Sequence, residues 1–339
     1  MTGKILILTG ESDSTADLMV LHLRERGVPF ERFHPQDLPR RARVTLRYRP
    51  GAPPSGRMTT DGETIDWSEI GAVWYRRPEP FALSTALTAE EKEFAHHECI
   101  SVMQGAWRSF DAFWVNHPDR IRIAESKPLQ LTLAGRLGFT VPRTLFTNDP
   151  DEVRALWAEC GGAVVYKSMT QGVLGRGLQQ SVYTNRVTAE HLARADLLSN
   201  APGLFQEEIP KVADLRITVI GDRLFPVEIR SQSEPDAVVD WRRGEVPRME
   251  HVPCELPDEV ARACLDLDRA LGLHYSAIDM VLTPDGRHVF LEINPSGQFG
   301  WIESLTGLPL IETLADLLVS GRDRRSAAVA AEIVGGAPA

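Results

Sequence analysis

Two carboxylates and an amide near the C-terminal end of the chain are spaced as ligands for a hard cation. Residues 276–282 (SAIDMVL) and 288–294 (HVFLEIN) flank Thr283-Pro284-Asp285-Gly286. Asp-Gly between alternating apolar runs predicts a β-hairpin. With Asp285-Gly286 as a two-residue turn, Pro284 pairs with Arg287, and counting back sets Asp279 directly opposite Glu292. Period two then puts Asn294 on the same face, while Val289, Leu291 and Ile293 point the other way into a core. Opposed carboxylates weaken a sheet pairing, and a bound cation removes the repulsion. All three side chains are oxygen donors of the kind that hold magnesium, whose shell is usually completed by water and nucleotide phosphates. The structural alternative pairs each acid with a separate arginine.

Other residues carry charge or conformational freedom in suggestive places. Thr170 to Gly177 (TQGVLGRG) has three glycines within six positions, including Gly172 and Gly175, which suits a loop whose amides fold over phosphates. No Gly-Lys-Ser/Thr follows it, so it is not a nucleotide-kinase P-loop. Arg76 and Arg77 end a strand and have the fork geometry that suits a substrate carboxylate or phosphate. A solvated or internally paired edge explains them equally well. Lys127 and Lys167, each taken alone, read as surface lysines.

The elements that must position these residues follow from periodicity. Lys4 to Thr9 (KILILT) is a strand, and Asp13 or Ser14 can cap a helix in which Ala16, Met19, Val20 and Leu23 recur at helical spacing. Gly27 stops it, and a second strand near Val28 to Phe33 completes a β-α-β unit, the mark of a parallel sheet. The loop Gly10-Glu11-Ser12-Asp13 lacks the Gly-rich dinucleotide fingerprint, so this unit reads as structural. Residues 50–62 hold three prolines and three glycines and read as a connection or hairpin. Ala72 to Tyr75 is a strand, and Thr88 to Phe110 a long helix with early acids. His96 and His97 on it point about 100° apart, a poor metal pair. Ser126 to Leu137 is a further helix, and Asp214 to Arg230 a hairpin about Gly221-Asp222. Arg322 to Ala339 is Ala- and Gly-rich and reads as a frayed tail.

Composition sets the outer limits. The 339 residues exceed one ordinary domain. With 43% hydrophobic and 25% charged residues and only strand-length apolar runs, a membrane protein is not expected. The first ten residues read as a strand and not as a signal peptide, and the cytoplasm is the default location. Cys99, Cys160, Cys254 and Cys264 form no metal or disulfide pattern. A net charge of −10 speaks against a nucleic-acid surface.

Asp279 followed by Glu292-Ile293-Asn294-Pro295 resembles the metal-binding hairpin of ATP-grasp ligases, and the rest of the chain reads in register with that family. Asn116-His117-Pro118 and Ala124-Glu125-Ser126-Lys127 resemble the segment carrying the first phosphate-contacting lysine, and Val164-Val165-Tyr166-Lys167 the strand carrying the second. Lys127 and Lys167 would then grip the phosphates, together with Gly172 and Gly175. Residues 204–210 (LFQEEIP) resemble the hinge that reads adenine through its backbone. Pro210 has no N–H, so Ile209 would donate and Glu207 or Glu208 would accept. Asp214-Leu215-Arg216 resembles the element beside the triphosphate, where Arg216 would stabilise the transferring phosphoryl group. Arg230 is a second candidate, although a two-residue turn places it on the opposite face.

The resemblance implies an α/β (α+β) ATP-grasp fold: an N-terminal α/β pre-ATP-grasp domain (1–115), a central subdomain (116–203), a C-terminal subdomain (204–320) and a flexible tail (321–339). ATP and Mg2+ are the implied cofactors. Trp74-Tyr75-Arg76-Arg77-Pro78 and Gly297-Gln298-Phe299-Gly300-Trp301-Ile302-Glu303 look most like the ribosomal peptide maturases that make graspetides, the microviridin type. Those enzymes phosphorylate an Asp or Glu side chain of a precursor peptide and close it onto Thr, Ser or Lys. The expected partners are a precursor peptide with leader and core, and a second copy of the chain in a homodimer. The alternatives are an ATP-grasp ligase of small molecules or amino acids, such as glutamate, and a binding-only pseudoenzyme. The joint presence of both lysines and all three metal donors argues against the last.

Overall fold

The computed structural model describes residues 3–60, 62–109, 111–169, 173–174, 180–181 and 183–335. The chain opens with β1 (Lys4–Leu8), α1 (Ser14–Glu25) and β2 (Phe30–Phe33). The Asp13 carboxylate accepts from the backbone N–H groups of Thr15 and Ala16, satisfying donors that the first turn leaves free. Ala16, Met19 and Leu23 form the buried face of α1, as their spacing requires. An antiparallel meander follows, β3 (Ala42–Arg49), β4 (Ala52–Thr60) and β5 (Glu63–Asp66). The Pro- and Gly-rich stretch 50–62 is therefore a hairpin turn plus a strand in its own right. Next come β6 (Ile70–Tyr75), α2 (Ala89–Ser109) and β7 (Phe113–Val115), giving a parallel sheet of order β2-β1-β6-β7.

The middle of the chain contributes α3 (Pro118–Ala124), α4 (Lys127–Arg136), β8 (Thr144–Thr147), α5 (Pro150–Glu159), β9 (Val164–Lys167), the short β10 (Val173–Leu174), β11 (Gln180–Ser181) and β12 (Asn185–Arg186), α6 (Ala189–Ala193) and β13 (Gly203–Glu207). The sheet β12-β9-β13-β8 is antiparallel and packs Val164 and Phe205 against Val153 and Leu156 of α5.

The C-terminal sheet is formed by β14 (Ala213–Ile220), β15 (Arg223–Ile229), β16 (His251–Pro253), β17 (Tyr275–Leu282) and β18 (His288–Asn294), in the order β16-β15-β14-β17-β18. Helix α7 (Asp258–Leu271) covers one face with Cys264, Leu267 and Leu271, and stops at Gly272, whose φ of 67° suits glycine. After α8 (Gly300–Thr306), helix α9 (Leu310–Gly335) runs unbroken through most of the stretch that the sequence marks as a frayed tail. Its Leu310, Ile311, Leu314, Ala315 and Leu318 pack on Ile5, Ile7, Ala72 and Trp74 of the N-terminal sheet. Each of the Leu and Ile side chains contributes about 1.5 to 3 kcal/mol by leaving water, so this helix is anchored on the sheet that opens the chain.

Candidate active site

The hairpin β17–β18 places Asp279 opposite Glu292, by a route other than the two-residue turn. Leu282, Val281 and Met280 pair with His288, Val289 and Phe290, and then the register shifts by one so that Asp279 meets Glu292. The turn holds Pro284, Asp285 and Gly286, closed by the Thr283 N–H donating to Arg287 O at 3.0 Å, with Gly286 at a φ of 84°. One extra residue, Leu291, bulges from β18 and restores the count. The core prediction is corrected in consequence. Phe290 is fully buried beside Val289 and Ile293, whereas Leu291 is half-buried and lines the cavity.

Charges around the pair are matched. Arg216, cross-strand from Asp279, donates from Nη1 to both of its oxygens at 2.9 Å, and Lys127 Nζ donates to Glu292 Oε2. Asn294 Nδ2 donates to Asp279 Oδ2 at 3.1 Å and to Glu292 Oε1 at 3.4 Å, so the three side chains share one point. Burial opposes the Glu292 charge, but Lys127, Arg242 and Lys167 pull its carboxyl down to about 2. Asp279 moves the other way, raised by burial and by Glu292 against the pull of Arg216.

Two side-chain amides hold this geometry. Strand β18 is a sheet edge, and Gln130 of α4 acts on it as a short strand would. Its Nε2 donates to Ile293 O at 2.9 Å and to Ala124 O at 2.6 Å, while its Oε1 accepts from Ile293 N at 3.2 Å. Lys127 lies on the same helix, so the amide fixes the lysine relative to Glu292. Buried Asn116 donates to Tyr275 O at 2.7 Å and Pro295 O at 2.9 Å, tying the end of the first sheet to both hairpin strands.

Lys167, at the end of β9, donates to Gln206 Oε1 at 2.6 Å. Burial pushes it down to about 8, with Lys127 adding and Glu292 opposing. Lys127, Lys167, Asp214, Arg216, Asp279, Glu292 and Asn294 line one cavity of about 1080 Å³. Asp214 is buried there, bound to Lys211 Nζ at 2.8 Å and to Ser231 Oγ at 2.5 Å. The cavity lining also has an apolar part, with Trp241 and Trp301 at 5.2 Å between ring centroids, and Val246, Pro247 and Leu305.

Several expected residues stand elsewhere. Arg230 lies outside the cavity and binds the carboxylates of Glu228 at 3.3 Å and Glu250 at 2.5 Å. Glu207 and Glu208 direct their side chains to Arg143 and Arg186, which leaves only backbone for a ligand. They and Ile209 are not among the cavity's lining residues. Buried Arg76 is engaged internally by Ser296 O at 2.8 Å, Gln298 Oε1 and the Asp13 carboxylate, between the rings of Trp74 and Phe299. Exposed Arg77 remains at the cavity edge. Gly172 and Gly175 lie outside the described residues. Sequence reasoning missed Asp240 and Arg242. Arg242 lines the cavity and is held by Asp240 through Nε at 2.8 Å and Nη2 at 2.7 Å, while Asp240 also accepts from Thr184 N at 3.0 Å. Their one signal was the Asp-x-Arg spacing in an otherwise irregular stretch.

Over 94% of its length the chain is 30% identical to a RiPP-associated ATP-grasp ligase of Chryseobacterium gregarium, solved with ADP and a leader and core peptide. It superposes with a TM-score of 0.87 and covers 97% of that protein. Here RiPP denotes a ribosomally synthesised and post-translationally modified peptide. The chain belongs to the RiPP-associated ATP-grasp ligases. Consistent with this, this ATP-grasp ligase is also 30% identical to the macrocyclase MdnC of Microcystis aeruginosa, solved with the precursor peptide MdnA, with a TM-score of 0.84 and 99% of that chain covered. The family described as the MvdD pre-ATP grasp domain matches residues 4–122. A curated relative from Shewanella loihica, a probable alpha-L-glutamate ligase, is 31% identical over 197 residues, and the match spans 63% of that relative.

The donor set fits the magnesium ion that this family implies. Asp279 and Glu292 bring carboxylate oxygens to one place, and Asn294, whose Nδ2 donates to both here, carries an amide oxygen that a half-turn of the side-chain amide would direct to the same ion. Magnesium held there would neutralise phosphate charge.

Proposed function

We propose that the enzyme activates a side-chain carboxylate of a precursor peptide as an acyl phosphate and closes it onto a side-chain hydroxyl or amine of the same peptide. The observation that carries this is the joining of two lysines, Arg216 and the Asp279–Glu292–Asn294 face in one cavity. In this reading Lys127 and Lys167 grip the nucleotide phosphates, Gly172 and Gly175 belong to the same phosphate site, and the backbone from Glu207 to Ile209 takes the adenine. Arg216 faces the transferring phosphoryl group, Asp214 lies beside the phosphates, and Arg77 faces the substrate. A carboxylate oxygen forms the new P–O bond and ADP leaves. The acceptor oxygen or nitrogen then attacks the acyl carbon, and phosphate leaves with the C–O bonding pair.

Room for a peptide beside the nucleotide is offered by a second cavity of about 570 Å³, which shares Arg77, Glu125, Ser296 and Gln298 with the one of about 1080 Å³. The relatives that the chain covers almost whole were solved with leader, core or precursor peptides. The likeness to probable glutamate ligases supports a second reading, addition of free glutamate. A homodimer and a cytoplasmic location belong to the same proposal; among the described residues no helix is long and apolar enough to cross a membrane.

The test is to incubate the enzyme with ATP, magnesium and peptides carrying Asp or Glu together with Thr, Ser or Lys, and to follow mass and nucleotide. Loss of one water per ring with release of ADP and phosphate is expected. Oxygen-18 in the reacting carboxylate should pass to the phosphate. AMP with pyrophosphate would overturn the acyl phosphate, and a gain of glutamate mass with no water lost from peptides would favour the second reading.

A further inference from the structure

Among the carboxylates that line the large cavity, Glu125 is the one with no hydrogen bond or ion pair among the described residues. It follows the last residue of α3, its backbone N–H donating to Ile121 O at 2.9 Å, and precedes Lys127 by two positions. The large cavity is also lined by Asp214, Asp240, Asp279 and Glu292. Each of those is committed: Asp214 to Lys211 and Ser231, Asp240 to Arg242 and Thr184, Asp279 to Arg216, Glu292 to Lys127. Among the described residues the Glu125 side chain makes no hydrogen bond and no ion pair.

Its place between two cavities is the second observation. The smaller cavity opens where β6 ends and α1 begins, with Ser12, Asp13, Tyr75 and Arg122 in its lining, and meets the larger one at Arg77, Glu125, Ser296 and Gln298. Tyr75 and Arg122 act electrostatically with Glu125, and the other titratable side chains of the two linings nearest in sequence to these elements are Asp13, Arg77, Glu79 and Lys127.

Closure of an acyl phosphate needs a proton acceptor. As the hydroxyl oxygen or amine nitrogen bonds to the acyl carbon, the C–O bond to phosphate breaks and the nucleophile must lose a proton. A carboxylate already in an ion pair would have to surrender its counter-ion to take that proton; Glu125 would not. Building on the acyl-phosphate reading above, we propose that Glu125 is the general base that takes the proton of the attacking hydroxyl or amine, which reaches it from the smaller cavity. Glu125 is exposed at the cavity rim, and partial desolvation there raises its affinity for a proton against the pull of Arg122, the direction this role requires.

The test separates activation from closure. Wild-type enzyme and Glu125→Gln are each given ATP, magnesium and a pool of synthetic peptides bearing Asp or Glu with Thr, Ser or Lys, with and without hydroxylamine, which traps acyl phosphates as hydroxamates without needing a base. In Glu125→Gln, ring closure should fall roughly 100-fold or more while the hydroxamate yield stays within about threefold of wild type. The acidic limb of the wild-type rate profile for closure should also disappear. Ring closure within about threefold of wild type would overturn the inference, as would equal loss of rings and hydroxamate, which would place Glu125 in activation or in folding. Wild-type enzyme that yields neither rings nor hydroxamate would overturn the acyl-phosphate reading, and the inference with it.

Discussion

The two lysines of the site are held in unlike ways. Lys127 is in an ion pair with Glu292, so an arriving phosphate must compete with a carboxylate. Lys167 is pushed down to about 8 by burial and donates to a neutral amide, so a phosphate meets a poorly solvated cation. Replacing either by Met should weaken nucleotide binding by roughly 1.5 to 3 kcal/mol, about 10- to 150-fold in Kd, with Lys167→Met at the upper end. Calorimetry with a non-hydrolysable ATP analogue measures it, and unchanged affinity in both variants would return the lysines to structural roles. At this scale the sequence was legible where side chains repeat with a period: Asp279, Glu292 and Asn294 share a face because strands alternate. Asp240 and Arg242 were not, since they lie in short turns between β15 and β16 where no period marks which way a side chain points.

Among the elements, the β17–β18 hairpin shows how a correct pairing can rest on a wrong turn. Counting from a two-residue loop gave Asp279 opposite Glu292, whereas the loop has three residues and the Leu291 bulge supplies the compensating one. Asp-Gly specifies a turn without specifying its length, and a bulge leaves no periodic signature of its own. The outer strand stays in place through Gln130, which the sequence presents as one more polar residue in a helix. Gln130→Leu should leave the backbone groups of Ile293 and Ala124 without their partner, at about 1 to 3 kcal/mol for each buried group. Thermal denaturation should show a clear fall in Tm, with a larger loss of turnover than of peptide binding, because the strand carrying Glu292 is freed. A Tm unchanged within about 1 °C would mean that water replaces the amide and that the strand holds itself.

For the whole molecule, closure of the chain on itself was the least legible feature. The stretch after Arg322 reads in the sequence as a tail, and its alanines, the strongest helix formers, continue α9 past the residues from Leu310 to Leu318 that pack on the N-terminal sheet. One buried group of α7 adds its own pH dependence to the stability of this fold. Asp268 of α7 accepts from Ser276 Oγ at 2.6 Å, its other oxygen has no partner among the described residues, and burial pushes it up to about 7. An unfolded aspartate titrates near 3.9, about three units lower. Below about pH 4 both states hold the proton, and its contribution to stability is fully present. Between about pH 4 and 7 the unfolded chain has lost a proton that the folded chain keeps, so stability falls by roughly 1.4 kcal/mol per pH unit, about 4 kcal/mol in all, and levels off above pH 7. Asp268→Asn keeps a neutral side chain of the same size and removes this slope. Urea denaturation at pH 5 and pH 8 should show the wild type losing stability toward the higher pH by a few kcal/mol more than the variant. Parallel pH dependence in the two proteins would show that Asp268 is ionised in the folded state.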